Sequence, residues 1–183
     1  LGDCLTLLRI SGGYLQEVVA MYSGMRLEEI CNIQDKHVFH ECFHVHEGKT
    51  EAAARVIPVH PLIKPLLEPM SGTFGKGYLI DGIKGGGYDK KRSWNFQKKL
   101  GKLRKKIGIP EGVVFHTLRN TFVTRMENLG IPRNHSSQLM GHEDSNMALD
   151  RYSAGLMIEP LVESINKLTY EEVDSFIKET LKN

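Results

Sequence analysis

Residues 115–122 read FHTLRNTF, and residues 139–155 read LMGHEDSNMALDRYSAG. A helical run joins them. The stretch sets His116 and Arg119 three residues apart, follows them with the pair Gly141-His142, and places Tyr152 ten residues further on. Three of these side chains can donate hydrogen bonds to phosphate oxygens, and the fourth is a phenol that becomes a nucleophile once it loses its proton. None of these four is a carboxylate that could hold Mg²⁺, so the cationic groups would have to stabilise a phosphate by themselves.

Working outward, Leu118 to Leu129 has helical spacing, with Phe122, Val123, Met126 and Leu129 on one side. His116 and Arg119 fall at its start, one turn apart, and can point at one spot. Gly130-Ile131-Pro132 turns the chain into a second short helix, Arg133 to Met140, which stops at Gly141. This pair of helices could also pass for a helix-turn-helix DNA reader. Ser145 to Tyr152 reads as a further helical segment. Upstream, Asp89 to Ile107 reads as a basic helix capped by Asp89. Trp94, Phe96, Leu100, Leu103 and Ile107 supply its apolar contacts. Lys90, Lys91, Arg92, Lys98, Lys99 and Lys102 belong to a run with no acid between Lys90 and Lys106, which suits a surface that tracks phosphates.

Towards the start, Tyr14 to Tyr22 is helical, Ser23-Gly24 ends that helix, and Met25 onward can begin another. Arg26 then lies at a helix start, near unpaired N–H groups, a natural place to meet a phosphate. The plainer reading is a solvent-facing arginine followed by Glu28 and Glu29. Residues 36–60 contain three strand-like runs, HVFH, CFHVH and ARVIPVH, with a turn EGKTEAA between the last two. Lys49 lies in that turn. Arg55 could pair with Glu51 or contact DNA. His40, Cys42, His44 and His46 alternate along one strand and suggest zinc, but same-face neighbours step by roughly 6–7 Å, too far to close a tetrahedron. No metal site is expected. Pro61 to Met70 reads as a short helix. The glycine-rich stretch at residues 71–89 lacks the Lys-Ser/Thr ending of a phosphate-binding P-loop. Leu161 to Leu168 and Tyr170 to Leu181 close the chain as helices, the last carrying a stripe of Val173, Phe176, Ile177 and Leu181.

These motifs resemble the catalytic signature of tyrosine recombinases of the phage-integrase type. His116-Thr-Leu-Arg119, Gly141-His142 and Tyr152 carry the resemblance. Ser23 to Ile30 is similar to the first arginine motif of that family, and Gly48-Lys49-Thr50 with residues 54–60 is similar to its lysine hairpin. One departure is Asn120, where many members carry a second histidine. The resemblance implies an α+β fold of the DNA breaking–rejoining type, mainly α-helical with a small three-stranded antiparallel sheet. It implies Tyr152 as nucleophile, Arg26, Arg119 and His142 as phosphate donors, Lys49 as general acid, and His116 in proton transfer or positioning. A 3′-phosphotyrosyl intermediate conserves bond energy, so no cofactor, metal or ATP is expected. The implied partner is a double-stranded DNA recombination site, with a homo-tetramer formed on it by exchange of the C-terminal helix and a monomer when free. That helix (residues 160–183) could equally dock on its own core. Two rival readings are a type IB topoisomerase-like relaxer and a non-catalytic DNA-binding module.

Composition is compatible with all of this. The 183 residues suffice for one good-sized core, and 40% hydrophobic with 25% charged residues is ordinary for a globular domain. No apolar run approaches a membrane span. Three cysteines at irregular spacing form no disulfide framework, which fits a reducing cytoplasm; the resemblance implies the bacterial nucleoid as the place of action. The net charge of +2 is small, so the DNA argument rests on where the cations lie. A chain opening at Leu1 looks like a fragment, with residues 1–13 read as a linker remnant; the resemblance implies a single catalytic domain with an N-terminal DNA-clamping domain ahead of it.

Overall fold

A computed structural model describes residues 15–46, 54–67, 77–79, 83–142 and 157–182. The α-helices described over their full length are α1 (Leu15–Ser23), α2 (Leu27–Asn32), α3 (Arg92–Ile107), α4 (Phe115–Asn128), α5 (Arg133–Met140), α6 (Ile158–Asn166) and α7 (Glu171–Thr180), and Asp35–His37 forms a 3-10 turn. Strands β1 (Val38–Phe39), β2 (Cys42–Val45) and β3 (Arg55–Pro58) form one antiparallel sheet in the order β1-β2-β3. Phe39 pairs with Cys42 and Phe43 with Ile57, so the sheet is a meander built on the three strand-like runs of the sequence. No described helix is long and apolar enough to cross a membrane.

Helix α1 is the centre of the molecule. Every residue from Leu15 to Ser23 is buried: α4 and α2 pack on it, and α7 meets it where Tyr22 donates to Asp174. Its residues Val18, Val19, Ala20, Met21 and Tyr22 have no exposed surface. Helix α4 contributes Leu118, Phe122 and Met126 to the same core. The C-terminal stripe folds back on its own chain: Val173 and Ile177 are fully buried, Tyr22 Oη donates to Asp174, and Tyr170 Oη donates to Met21 O at 2.8 Å. Phe176 is half-buried and Leu181 stays exposed, so only part of the stripe is covered.

Several boundaries differ from the sequence reading. Helix α3 begins at Arg92, not Asp89. Lys90 has φ +49°, in the left-handed region, and Gly86 pairs with Lys91 across an antiparallel bridge, so residues 87–90 form a turn ahead of the helix. Asp89 does not cap the helix; it pairs with Lys91 Nζ at 3.0 Å. Lys90 and Lys91 are therefore loop residues. The helix expected over Pro61 to Met70 is described only at residues 64–67, after a turn at 61–63. His40 lies in the β1–β2 turn with φ +50°, off the strand face it was expected to share. Cys42 is buried, and the His44 ring stacks on Phe39 with centroids 3.6 Å apart. No group of three or more His, Cys, Asp or Glu among the described residues could hold a metal ion. The segment expected to be helical at Ser145 to Tyr152 lies outside the described residues.

The cost of burying α1 on all sides shows at Glu17. Its carboxyl has no exposed surface, and among the described residues no other group bonds to its oxygens. Burial pushes its pKa up from 4.5 to about 7, countered only by its own backbone N–H. Between these values the folded chain holds a proton that the unfolded chain has released. Stability therefore falls as pH rises through that window and levels off above it. A shift of this size corresponds to about 3 kcal/mol. Glu17→Gln is expected to stabilise the fold by up to that amount at pH 8 and by almost nothing near pH 4.5. Urea unfolding at the two pH values checks this; an equal gain at both would mean that Glu17 is not protonated in the fold.

Candidate active site

The site forms where the start of α2, the start of α4 and the end of α5 meet. Each motif glycine has a local reason. Gly24 has φ +67°, and a Cβ there would lie 2.7 Å from the Phe122 ring, so only glycine lets α4 approach this turn. The carbonyl it presents accepts from Arg119 Nη1. Gly141 ends α5 in the left-handed conformation, φ +61° and ψ +48°. Its N–H bonds to Gln138 O at 3.1 Å and the N–H of His142 to Ser137 O at 3.0 Å, a Schellman closure that sends His142 off the helix axis.

Arg119 is 1% exposed. Besides Gly24 O, its Nη2 donates to Met140 O at 2.6 Å and lies 3.0 Å from His142 Nε2. An arginine can only donate, so Nε2 is the acceptor of this contact. Burial lowers the Arg119 pKa to about 10, with Arg26 and Arg55 adding to the fall and Glu29 opposing it. It remains a cation at neutral pH. Arg26 is the N-cap residue of α2, as its place at a helix start suggested, and its side chain is 43% exposed. Its Nη1 donates to Glu29 Oε1 at 2.8 Å and its Nη2 lies 3.5 Å from Gly141 O.

Two further residues, absent from the sequence-derived site, hold this array together. Arg55, on β3, pairs with Glu29 through Nη1 at 3.1 Å and Nη2 at 2.9 Å, and its Nε donates to Leu139 O at 2.7 Å. Glu29 is a carboxylate partner that the sequence reading did not offer, and Glu51 lies outside the described residues. Glu29 also accepts the Arg26 backbone N–H at 2.7 Å, reaching back to the helix start as in a capping box. Burial alone would raise the Glu29 pKa, but the bonds and charge of Arg55 and the bonds of Arg26 hold it below the usual carboxylate range. Consecutive carbonyls at the end of α5, of Leu139, Met140 and Gly141, thus face Arg55, Arg119 and Arg26 in turn. A helix C-terminus carries unpaired, partially negative carbonyls. Here they fix three guanidinium groups against one carboxylate, and two net positive charges are left over. The signal for Glu29 in the sequence was its spacing, three residues after Arg26; for Arg55 there was none beyond its place on a strand.

An open groove of about 560 Å³ runs past this array, lined by Arg26, His116 and Arg119 on one side and by Ser93, Gln97, Gly101 and Arg104 of α3 on the other. His116 is exposed in the first turn of α4. Arg104 Nη1 donates to Val113 O at 2.7 Å and to Glu111 O at 3.3 Å, bracing the loop that leads to His116. Lys90, Lys91, Lys98, Lys99 and Lys102 are exposed. Arg92 turns inward: its Nε donates to Cys31 O at 2.7 Å and its guanidinium lies 3.5 Å from the centre of the Tyr78 ring. Three expected site residues, Arg26, His116 and Arg119, therefore line one groove, and the fourth, His142, joins them through its contact with Arg119. Lys49 and Tyr152 lie outside the described residues.

The arrangement suits binding of a phosphate-like anion by planar donors without a metal ligand set. Comparison with known proteins finds the same fold elsewhere. The fold matches an integrase from mycobacterium phage Brujita with a TM-score of 0.64 at 16% identity, over 95% of this chain and 61% of that one. It matches XerA recombinase with a TM-score of 0.56 at 20% identity, over 98% of this chain and 62% of that one. It matches the Tn1549 transposon integrase, in complex with circular intermediate DNA, with a TM-score of 0.57 at 21% identity, over 86% of this chain and 61% of that one. The chain thus spans about three-fifths of the length of these structures. No curated protein matches its sequence. The phage integrase family model matches residues 17–157, a span that opens within α1 and includes every catalytic candidate from Arg26 to Tyr152, and on that match the chain belongs to the phage integrase family.

Proposed function

We propose that this chain is the catalytic domain of a site-specific DNA recombinase that breaks and rejoins strands through a 3′-phosphotyrosyl intermediate. The observation that carries the reading is the arginine array. Arg119 and Arg26 are held by backbone carbonyls and Glu29, beside His142, at the edge of a groove whose far wall is a basic helix. Preorganised donors of this kind stabilise charge that develops on non-bridging oxygens and cost no reorganisation during the reaction. Planar guanidinium groups match those oxygens in pairs.

In this mechanism the Tyr152 oxygen attacks phosphorus and the bond to the 5′ oxygen breaks. The phenol proton leaves through His116 or solvent. Lys49 gives a proton to the departing 5′ oxygen. A 5′-hydroxyl from another strand then attacks the phosphotyrosine and releases Tyr152. Lys90, Lys91, Lys98, Lys99 and Lys102 carry the duplex along α3, while Arg92 braces the helix against α2. The chain works together with a DNA-clamping domain N-terminal to it, and assembles as a tetramer on DNA by exchanging α7 between subunits.

The test uses a 5′-bridging sulfur at the scissile phosphate of the chain's own recombination site. A thiolate leaves without a proton. Lys49→Ala is expected to cripple cleavage of ordinary DNA and to be largely rescued on the sulfur substrate, whereas Arg119→Ala is not rescued. Equal defects of Lys49→Ala on both substrates would move proton donation elsewhere, with His116 next. Relaxation of a single duplex without exchange between two would make the chain a topoisomerase.

A further inference from the structure

The loop that leads into α3 is more tightly built than its run of glycines suggests. Gly86 N–H donates to Lys91 O at 3.0 Å, and Asn95 Nδ2 donates to Lys84 O at 2.9 Å. A Cβ on Gly85 would lie 2.4 Å from Lys90 O. On Gly86 it would lie 2.6 Å from Trp94 Cε3, and on Gly87, at φ +75°, 2.8 Å from Trp94 Nε1. Three successive residues are thus held to glycine by contact with their own turn and with the Trp94 ring. Lys98 Nζ stands 3.6 Å from the centre of that same ring.

Tyr88 sits at the tip of this turn with 102% of its surface exposed. Its neighbours Lys90 and Lys91 are exposed as well. The other described tyrosines are packed: Tyr22 and Tyr170 lie in the core and Tyr78 lies beneath Arg92. A fixed turn that holds a full aromatic ring in water gains nothing for the fold. Aromatic faces set among lysines are what nucleic acids bind: the cations meet phosphates and the ring meets a base or sugar. The position agrees. Helix α3 lines the catalytic groove from Ser93 to Arg104, a run of roughly 17 Å at the helical rise, or about five phosphate steps along one strand. The turn precedes the Ser93 end of that wall.

We propose that Tyr88 is a DNA-contacting residue whose ring packs against a base or deoxyribose of the duplex lying along α3, presented there by the rigid 85–91 turn. The inference rests on the reading of the chain as a DNA-acting enzyme. The test is fluorescence anisotropy with a short, fluorescein-labelled, mixed-sequence duplex over a range of salt concentrations. Tyr88→Ala is expected to weaken binding by about 10-fold or more, as loss of one ring contact does, and to leave the slope of log K against log salt unchanged. Lys90→Ala is expected instead to reduce that slope by about one. Tyr88→Phe keeps the ring and retains wild-type affinity. Gly86→Val keeps Tyr88 but displaces the turn from Trp94, and is expected to bind as weakly as Tyr88→Ala while lowering the thermal unfolding temperature, which Tyr88→Ala does not. Wild-type affinity in Tyr88→Ala overturns the proposal. So does a loss in Tyr88→Phe equal to that in Tyr88→Ala, because it would assign the effect to the hydroxyl. A wild-type chain that does not bind the duplex at all would sink the DNA-acting reading itself.

Discussion

Arg119→Ala is expected to slow single-turnover DNA cleavage by about 10²–10³, the loss found when one preorganised donor is removed from a developing oxyanion. The fold should carry a second penalty. Arg119 is among the largest fully buried side chains, and its removal leaves the carbonyls of Gly24 and Met140 without their donor. Unpaired buried groups cost about 1–3 kcal/mol each. The kinetic and structural effects separate in Arg119→Lys. A lysine keeps the charge and can satisfy one carbonyl, but it cannot bond Gly24 O, Met140 O and His142 together from one plane. Arg119→Lys is thus expected to recover thermal stability while cleaving almost as slowly as Arg119→Ala. Cleavage by Arg119→Lys at the wild-type rate would show that the planar fork is not what the reaction uses.

Much of this site is legible in the amino-acid sequence. The strands announce themselves by β-branched and aromatic runs, and the register that pairs Phe43 with Ile57 keeps both side chains in the core. Gly24 and Gly141 mark helix ends because a left-handed turn there excludes other residues. Arg26, His116, Arg119 and Gly141-His142 follow from spacing and from resemblance to a family pattern. What the chain does not reveal is how the arginines are oriented. Glu29 and Arg55 are far apart in sequence, and only the packing of β3 beside α2 and α5 makes a single carboxylate the partner of both Arg26 and Arg55. Glu29 reads as one of two acids on a wet helix face because its burial depends on that contact.

The basic segment shows the same limit from the other side. Its composition predicts one helix from Asp89, with Asp89 as cap. A single left-handed residue, Lys90, and the bridge between Gly86 and Lys91 make its first turn a loop. Propensity could not anticipate this, because the preference comes from Trp94, against which Gly86 and Gly87 pack. Arg92 counts among the DNA-facing cations on charge alone. Its side chain finds a carbonyl and an aromatic ring nearer than solvent.

The central claim is that Tyr152 forms a covalent bond to the 3′ phosphate. Trapping it requires a nicked duplex carrying the recombination site, from which the short strand 3′ to the cut diffuses away so that resealing fails. Wild-type chain, in chelator and without nucleotide, is predicted to give a protein–DNA adduct that survives denaturing electrophoresis, with the DNA mapping by peptide mass to the segment that contains Tyr152. Tyr152→Phe removes one hydroxyl and keeps the ring, and is predicted to bind the same duplex with near wild-type affinity and to form no adduct. An adduct persisting at wild-type level in Tyr152→Phe, or mapping to another residue, would contradict the account.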